Sequence, residues 1–205
     1  MGLELQKGES SIELNQTDLQ ADEQDFKIDQ ADFSQLKSPA WLEHQPFGQL
    51  PYLVDTETGV EIFETRAMIR YVASRVKSPL QPTADGDLAA YARYEQAAQN
   101  EVTQFMGPTD AMAHEIGSIH ADIATNELIR KQKAVLAKKL EGYERILSKH
   151  NYLDGDVLTL ADLAHLPYGA IAAKVNGSLP NVARWWKELE SHPAWLNTKD
   201  LGHSS

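Results

Sequence analysis

Two short stretches hold the residues best suited to chemistry. The first is Gln45-Pro46-Phe47-Gly48-Gln49-Leu50-Pro51-Tyr52-Leu53. A proline that opens a strand leaves that edge without an amide donor. A cis bond between Leu50 and Pro51 would turn the Leu50 backbone outward and offer its N–H and C=O to an extended peptide. A plain turn accounts for the same residues without a ligand. The second stretch is Phe63-Glu64-Thr65-Arg66-Ala67. Here an acid and a hydroxyl fall at a helix start, whose orphan amides and positive dipole end suit a carboxylate. Thr65 as a simple helix cap is the competing reading.

Other chemistries find little support. The seven histidines (His44, His114, His120, His150, His165, His192 and His203) include no i, i+4 pair of a helical zinc site and stand in no triad context. The chain has no cysteine, which excludes disulfides, thiolate metal sites and a cysteine nucleophile. Gln45-Pro46-Phe47-Gly48 has one glycine and no Walker lysine, so a phosphate loop is not expected. No metal site is expected either. The net charge of −11 argues against a broad nucleic-acid footprint, which needs clustered Lys and Arg.

The elements that must position these residues divide near residue 77. With 42% hydrophobic and 24% charged residues over 205 positions, the chain reads as globular and able to bury a sizeable core. No uninterrupted apolar stretch is long enough to span a bilayer, and Met1-Gly2-Leu3-Glu4-Leu5-Gln6-Lys7 lacks the pattern of a secretory signal, so a soluble protein is expected. Before residue 77 the pattern is strand-like: Ser11–Gln16 alternates, residues 20–35 read as a loop or weak helix, and Pro51–Asp55 and Glu61–Phe63 are strands. Thr56-Glu57-Thr58-Gly59 between the last two is turn chemistry. Met68, Ile69 and Val72 share a face of the helix that follows.

After Lys77-Ser78-Pro79-Leu80-Gln81-Pro82-Thr83, a stiff linker, nearly everything reads as helix. One apolar stripe, Leu88, Tyr91, Ala98, Val102 and Phe105, is ended or kinked by Gly107-Pro108. Another, Ile129, Leu136, Leu140, Tyr143 and Leu147, belongs to a helix over about 126–150 and reads as a core seam. Thr159-Leu160-Ala161-Asp162 is a capping box, flanked by Leu158 and Leu163 at the staple positions, and both polar residues read as structural. Pro167 inside that helix implies a kink. An amphipathic helix over Val182–Leu189 is stopped by Ser191-His192-Pro193.

The Gln45–Pro51 stretch, the Phe63–Tyr71 helix start, Leu158-Thr159-Leu160-Ala161-Asp162-Leu163 and Pro180-Asn181-Val182-Ala183-Arg184-Trp185-Trp186 together resemble cytosolic glutathione transferases, closest to the phi-like branch of plants and fungi. The resemblance runs from about residue 37 to the C-terminus. It implies an α/β thioredoxin-like N-terminal domain over 1–76, a linker over 77–84, an all-α helical domain over 85–205, and a homodimer in the cytoplasm with a role in detoxification. By the same analogy Pro51 is the cis-proline and Leu50 pairs its backbone with the cysteinyl part of glutathione. Gln49 belongs to the same site, Glu64 and Thr65 hold the γ-glutamyl end, and Lys37 meets the glycyl carboxylate. Leu36 stands where the family has a histidine. Phe105, Met106, Met112 and Tyr168 are candidates for the apolar pocket of the second substrate.

At the N-terminus the chain departs from the family. Lys7–Leu14 aligns with the end of the family's first helix and the strand after it, so the first strand and the catalytic loop are expected to lie before Met1. In that register Ser10 and Ser11 fall beyond the helix and do not replace the catalytic hydroxyl. The first 75 residues hold 6 Lys and Arg against 14 Asp and Glu, a net of −8, so an anionic tripeptide depends on Lys37, Arg66 or Arg70 for a local positive field. Conjugation needs the glutathione thiolate, whereas a free thiol near pKa ~8.5 is only slightly ionised at neutral pH. Three readings follow: an enzyme that conjugates glutathione to small apolar electrophiles, a non-catalytic binder of glutathione or hydrophobic ligands, and an interaction module. The enzyme is the favoured one, and fold alone does not choose.

Overall fold

The computed structural model describes residues 3–7, 26–118, 126–172 and 179–198. The chain forms two compact units, Met1–Ser78 with Leu196–Ser205, and Pro79–Trp195.

The first unit is built on a four-stranded sheet in the order β2-β1-β3-β4, with β1 at Leu3–Lys7, β2 at Phe26–Gln30, β3 at Tyr52–Asp55 and β4 at Val60–Phe63. β1 runs parallel to β2 and antiparallel to β3, and β3 and β4 form a hairpin. This is the thioredoxin-like arrangement, and it corrects two expectations. The first strand does not lie before Met1: Leu3–Lys7 fills the inner position between β2 and β3. Nor is the strand after it at Lys7–Leu14, because that role falls to Phe26–Gln30, within the stretch read as loop or weak helix. The alternation of Phe26 and Ile28 with Lys27 and Asp29 is the period-2 signal of a strand. The expected strand at Ser11–Gln16, and with it Ser10 and Ser11, lies outside the described residues.

A 3₁₀ turn at Phe33–Gln35 leads to helix α1, Pro39–His44, which starts with Pro39 and is capped by Ser38, whose hydroxyl accepts from the Trp41 amide at 3.2 Å. Helix α2, Thr65–Arg75, lays Met68, Ile69, Val72 and Ala73 inward. Leu53, Met68 and Val72 form a core that Ile62 and Tyr71 cover. The β3–β4 turn is tied to α2 by Asp55, which is buried. Its carboxylate accepts from the amides of Glu57 (2.9 Å) and Thr58 (3.1 Å), from Arg75 Nε (3.2 Å) and from the Tyr71 hydroxyl. Burial alone would raise the Asp55 pKa, but these donors outweigh it and hold the group well below the usual carboxylate range.

In the second unit, helix α3 (Leu88–Asn100) passes through a π-helical turn at Glu101–Met106 into α4 (Gly107–Ser118). Gly107-Pro108 therefore does not end the helix. Pro108 has no amide proton, and the neighbouring Thr109 hydroxyl donates to the carbonyls of Phe105 (2.9 Å) and Met106 (3.0 Å), which the wide turn leaves short of amide partners. Helix α5, Glu127–Leu147, buries all five residues of its expected seam. The capping box at Thr159 and Asp162 is present and opens α6, Leu160–Leu163; α7, Leu166–Ala172, carries Pro167 in its first turn, so the helix is broken in two rather than kinked. Helix α8, Pro180–Glu190, and α9, Pro193–Thr198, complete the described chain.

α5 and α8 are joined where the C-terminal end of α5 meets the N-terminal end of α8. Glu144 of α5 accepts from the amides of Asn181 (3.1 Å) and Val182 (3.0 Å), placing a carboxylate at the positive end of α8. Arg184 of α8 donates to the carbonyls of Leu147 (3.4 Å) and His150 (3.2 Å), placing a cation at the negative end of α5. In the core, Asp162 accepts from the Trp185 indole, and His165 lies among Phe105, Tyr143 and Trp185.

Candidate functional site

The sheet register gathers the sequence-selected residues of the first unit at one end. Tyr52 pairs with Phe63, so Leu50 and Pro51, just before β3, come beside Glu64 and Thr65, just after β4. Tyr52 also pairs with Gln6, and Lys7 with Gln30, so β1 and β2 point their C-terminal ends the same way. Ligands of open α/β sheets gather outside such strand ends. The Leu50–Pro51 bond is cis, as expected. The ladder begins only at Tyr52, which leaves the half-buried Leu50 ahead of it, while Gln49 is exposed.

The loop between α1 and β3 is braced from within. Gln45, buried, accepts the Phe47 amide at 2.8 Å, its carbonyl takes the Gly48 amide at 2.9 Å, and Phe47 meets Phe63 edge-on at 6.0 Å. Lys37 crosses this loop and donates from Nζ to the Phe47 carbonyl at 2.7 Å. One of three ammonium donors is thus used, and the side chain stays exposed with its charge available. Gly48 makes that crossing possible. Its φ is +60°, and a Cβ there would fall 2.5 Å from the Leu36 carbonyl oxygen and 2.7 Å from Lys37 Nζ. The glycine was legible in the sequence only as a missing phosphate loop; its role beside Lys37 was not.

Glu64 is the most unusual residue of the site. It is exposed, sits at φ 72° and ψ 108°, and precedes α2 without any side-chain cap. A non-glycine held in such a region stores about 1–3 kcal/mol of strain, a pattern that clusters at ligand clamps. The Glu64 carbonyl accepts from Ala67 and Met68, so α2 is fully wound from Thr65 onward. Its dipole end, the Thr65 hydroxyl and the Glu64 carboxylate stand together, which suits a group bearing both a carboxylate and an ammonium.

His44, Tyr52 and Glu61 form a cluster that sequence reasoning passed over. His44 Nδ1 lies 3.0 Å from Glu61 Oε2 and 3.2 Å from the Tyr52 hydroxyl, which itself donates to Glu61. Trp41 packs edge-on against Tyr52 at 5.7 Å. Burial and then the neighbouring Glu61 carboxylate push the Tyr52 pKa up. The Glu61 carboxyl is held down, first by the Tyr52 hydroxyl and then by His44.

The expected second-substrate residues divide in two. Phe105 and Met112 are 2% and 0% exposed, so they are corrected from pocket lining to core. Phe105 meets His165 edge-on at 4.7 Å and has no surface left to give. Met106 and Tyr168 are half-buried and retain surface, and the Tyr168 hydroxyl donates to Asp110 at 3.3 Å. Among the described residues no His, Cys, Asp and Glu cluster is placed to hold a metal ion, and no helix is long and apolar enough to cross a membrane.

Comparison with known proteins finds relatives over most of the chain. The family model "Glutathione S-transferase, N-terminal domain" matches residues 14–74, and "Glutathione S-transferase, C-terminal domain" matches residues 99–193. Glutathione S-transferase PM239X14 of Arabidopsis thaliana is 43% identical over 159 residues, which cover 73% of this chain and 72% of that one. Glutathione S-transferase hmp2 of the fungus Hypomyces subiculosus is 34% identical over 167 residues, covering 76% and 77%. Among solved structures, glutathione S-transferase I from maize, bound to an atrazine–glutathione conjugate, superposes with a TM-score of 0.83 at 27% identity, and both chains are covered in full. A Ser-to-Cys mutant of poplar glutathione transferase F1 gives 0.84 at 25% identity, again over both full lengths.

Proposed function

The chain belongs to the glutathione S-transferase family, and from that premise we propose that it joins the thiol of glutathione to small hydrophobic electrophiles. Glutathione is the co-substrate. The observation that carries the assignment of its site is the register of the first unit's sheet, with Leu50–Pro51 and Glu64–Thr65 at the same end. In this reading Leu50 pairs its backbone with the cysteinyl part of the tripeptide, between Gln49 and Pro51. The γ-glutamyl carboxylate lies on the start of α2 with the Thr65 hydroxyl, and its ammonium meets Glu64. Lys37 takes the glycyl carboxylate, held in place by its bond to the Phe47 carbonyl. The glycyl carboxylate and the ammonium are thereby each met by an opposite charge, on Lys37 and Glu64, and the γ-glutamyl carboxylate by the positive end of α2.

Catalysis further requires a donor that stabilises the thiolate. β1 ends at the same edge as Pro51, and Ser10 and Ser11 are the first hydroxyls after Lys7 in the sequence. Both lie outside the described residues, so neither is assigned that role. Met106 and Tyr168 contribute surface for the electrophile. The protein acts as a cytoplasmic homodimer in detoxification. The test is turnover of a chromogenic aryl halide with glutathione, together with retention on immobilised glutathione. Turnover that is lost in Lys37→Ala and Glu64→Ala supports the reading; failure of the parent protein to bind glutathione removes it.

A further inference from the structure

The helical unit holds a cleft of about 440 Å³, lined by none of the residues assigned above to glutathione or the electrophile. That volume is on the scale of small-molecule sites. One wall is the linker before α3, with Pro79 and Pro82. A second is α3 itself, with Ala90 and Arg93, and a third is the loop between α5 and α6, with Asp154 and Asp156. The walls are braced without a ligand. In the loop the Tyr152 amide donates to the Gly155 carbonyl at 2.8 Å, and the Asn151 amide to Asp156 Oδ1 at 3.0 Å. The Leu160 amide donates to the Leu80 carbonyl at 3.0 Å, which ties the start of α6 to the linker. A cleft so held needs little ordering when a ligand enters.

Two opposite charges face this space without joining. Asp154 is half-buried, and its Oδ1 is closed off from solvent with no hydrogen-bond partner. A carboxylate left short of partners is costly, so the part that lines the cleft gains from a bound cation. Burial above all raises its pKa, against weaker pulls from its own amide, Arg93 and Thr159. Arg93 is exposed, and its field reaches Asp154, yet among the described residues no ion pair joins the two. A bare anion in the cleft would meet Asp154 and Asp156, and a bare cation would meet Arg93. A molecule carrying both charges meets neither objection. With a hydrogen bond of about 2.7–2.9 Å at each end, it spans a gap too wide for a direct ion pair. We propose that the cleft is a second ligand site, for zwitterionic amino acids with apolar side chains: the ammonium on Asp154, the carboxylate on Arg93, and the side chain against Pro79, Pro82 and Ala90. This site is independent of the one assigned to glutathione.

The probe is L-phenylalanine, titrated into the full-length protein and followed by saturation-transfer NMR, with and without S-hexylglutathione. A Kd of about 1 mM or tighter is expected for a ligand of this size, unchanged by S-hexylglutathione. 3-Phenylpropionate, which lacks the ammonium, and phenethylamine, which lacks the carboxylate, each bind at least about tenfold more weakly. Asp154→Asn and Arg93→Gln, shown folded by circular dichroism, each lose at least about tenfold in affinity for phenylalanine and keep the parent's turnover of glutathione. Absence of phenylalanine binding, equal binding of the three compounds, displacement by S-hexylglutathione, or parent-like affinity in either variant overturns the inference and leaves the glutathione site standing. If a variant fails to fold, the three compounds on the parent still decide.

Discussion

Replacing Asp162 by Ala tests the core of the helical unit most severely. The side chain is fully buried, and its two oxygens serve four donors: Leu153 N at 3.0 Å and Trp185 Nε1 at 2.9 Å on one, Thr159 N and Oγ1, each at 3.2 Å, on the other. Truncation strands all four and removes the Asp162 half of the capping box of α6. A hydrogen bond to a charged group is worth about 1.5–3 kcal/mol and a cap about 1 kcal/mol, and neighbours in one network do not add fully. The expected loss is about 4 kcal/mol, or a fall in Tm of about 8–16 °C. Urea unfolding followed by tryptophan emission suits the measurement, because Trp185 is itself one of the donors. A pH series adds a second arm. Burial, above all, pushes the Asp162 pKa from 3.8 up to about 6 in spite of its donors. The folded value exceeds the unfolded one, so the native state holds the extra proton between them. This contribution is present at low pH, is lost as pH rises from about 4 to about 6, and amounts to about 3 kcal/mol. Asp162→Asn has no such titration, so the difference in stability between it and the parent must change over that window. A loss below about 1 kcal/mol in the alanine variant, or the same pH slope in parent and Asn variant, refutes this account of the network.

Two further outcomes follow from the glutathione-binding unit. Gly48→Ala places a side chain at φ +60°, costing about 1–2 kcal/mol, and drives it into Leu36 and Lys37; KM for glutathione is expected to rise about tenfold as Lys37 is displaced. Glu64→Gly relaxes the residue at φ 72° and removes a carboxylate. Thermal melting should show a net gain of about 1 kcal/mol in stability, while glutathione affinity falls at least about tenfold.

Features whose signal is local were legible in the sequence. The capping box at Thr159 and Asp162, the seam of α5 and the Thr56–Gly59 turn all appear where the residues place them. Each is decided by contacts within a few turns of chain. Strands β1 and β2 were misread although Leu3, Leu5, Phe26 and Ile28 alternate with polar residues. A five-residue alternation is weak by itself, and it becomes a strand through pairing with a partner far along the chain. Phe105 and Met112 were misassigned because an apolar residue on a helix reads the same whether it faces a ligand or its own core. The π-helical turn at Glu101–Met106 has no periodicity to announce it; it arises where Pro108 interrupts the bonding ladder of an otherwise continuous helix. At the candidate site, residue types pointed to Leu50, Pro51, Glu64 and Thr65, but their assembly depends on the pairing of Tyr52 with Phe63, a long-range fact.

The reciprocal charges of Glu144 and Arg184 act as alignment pins between α5 and α8. With one pin near each mating end, sliding either rod by a single turn would unseat both at once. The stretch between the rods, residues 148–179, is thereby relieved of any duty to set their spacing. That stretch carries core residues of its own, Leu153, Leu160, Asp162 and His165 among them, so descendants of this sequence are free to vary at its exposed positions, such as Val157, while the mated pair keeps its register.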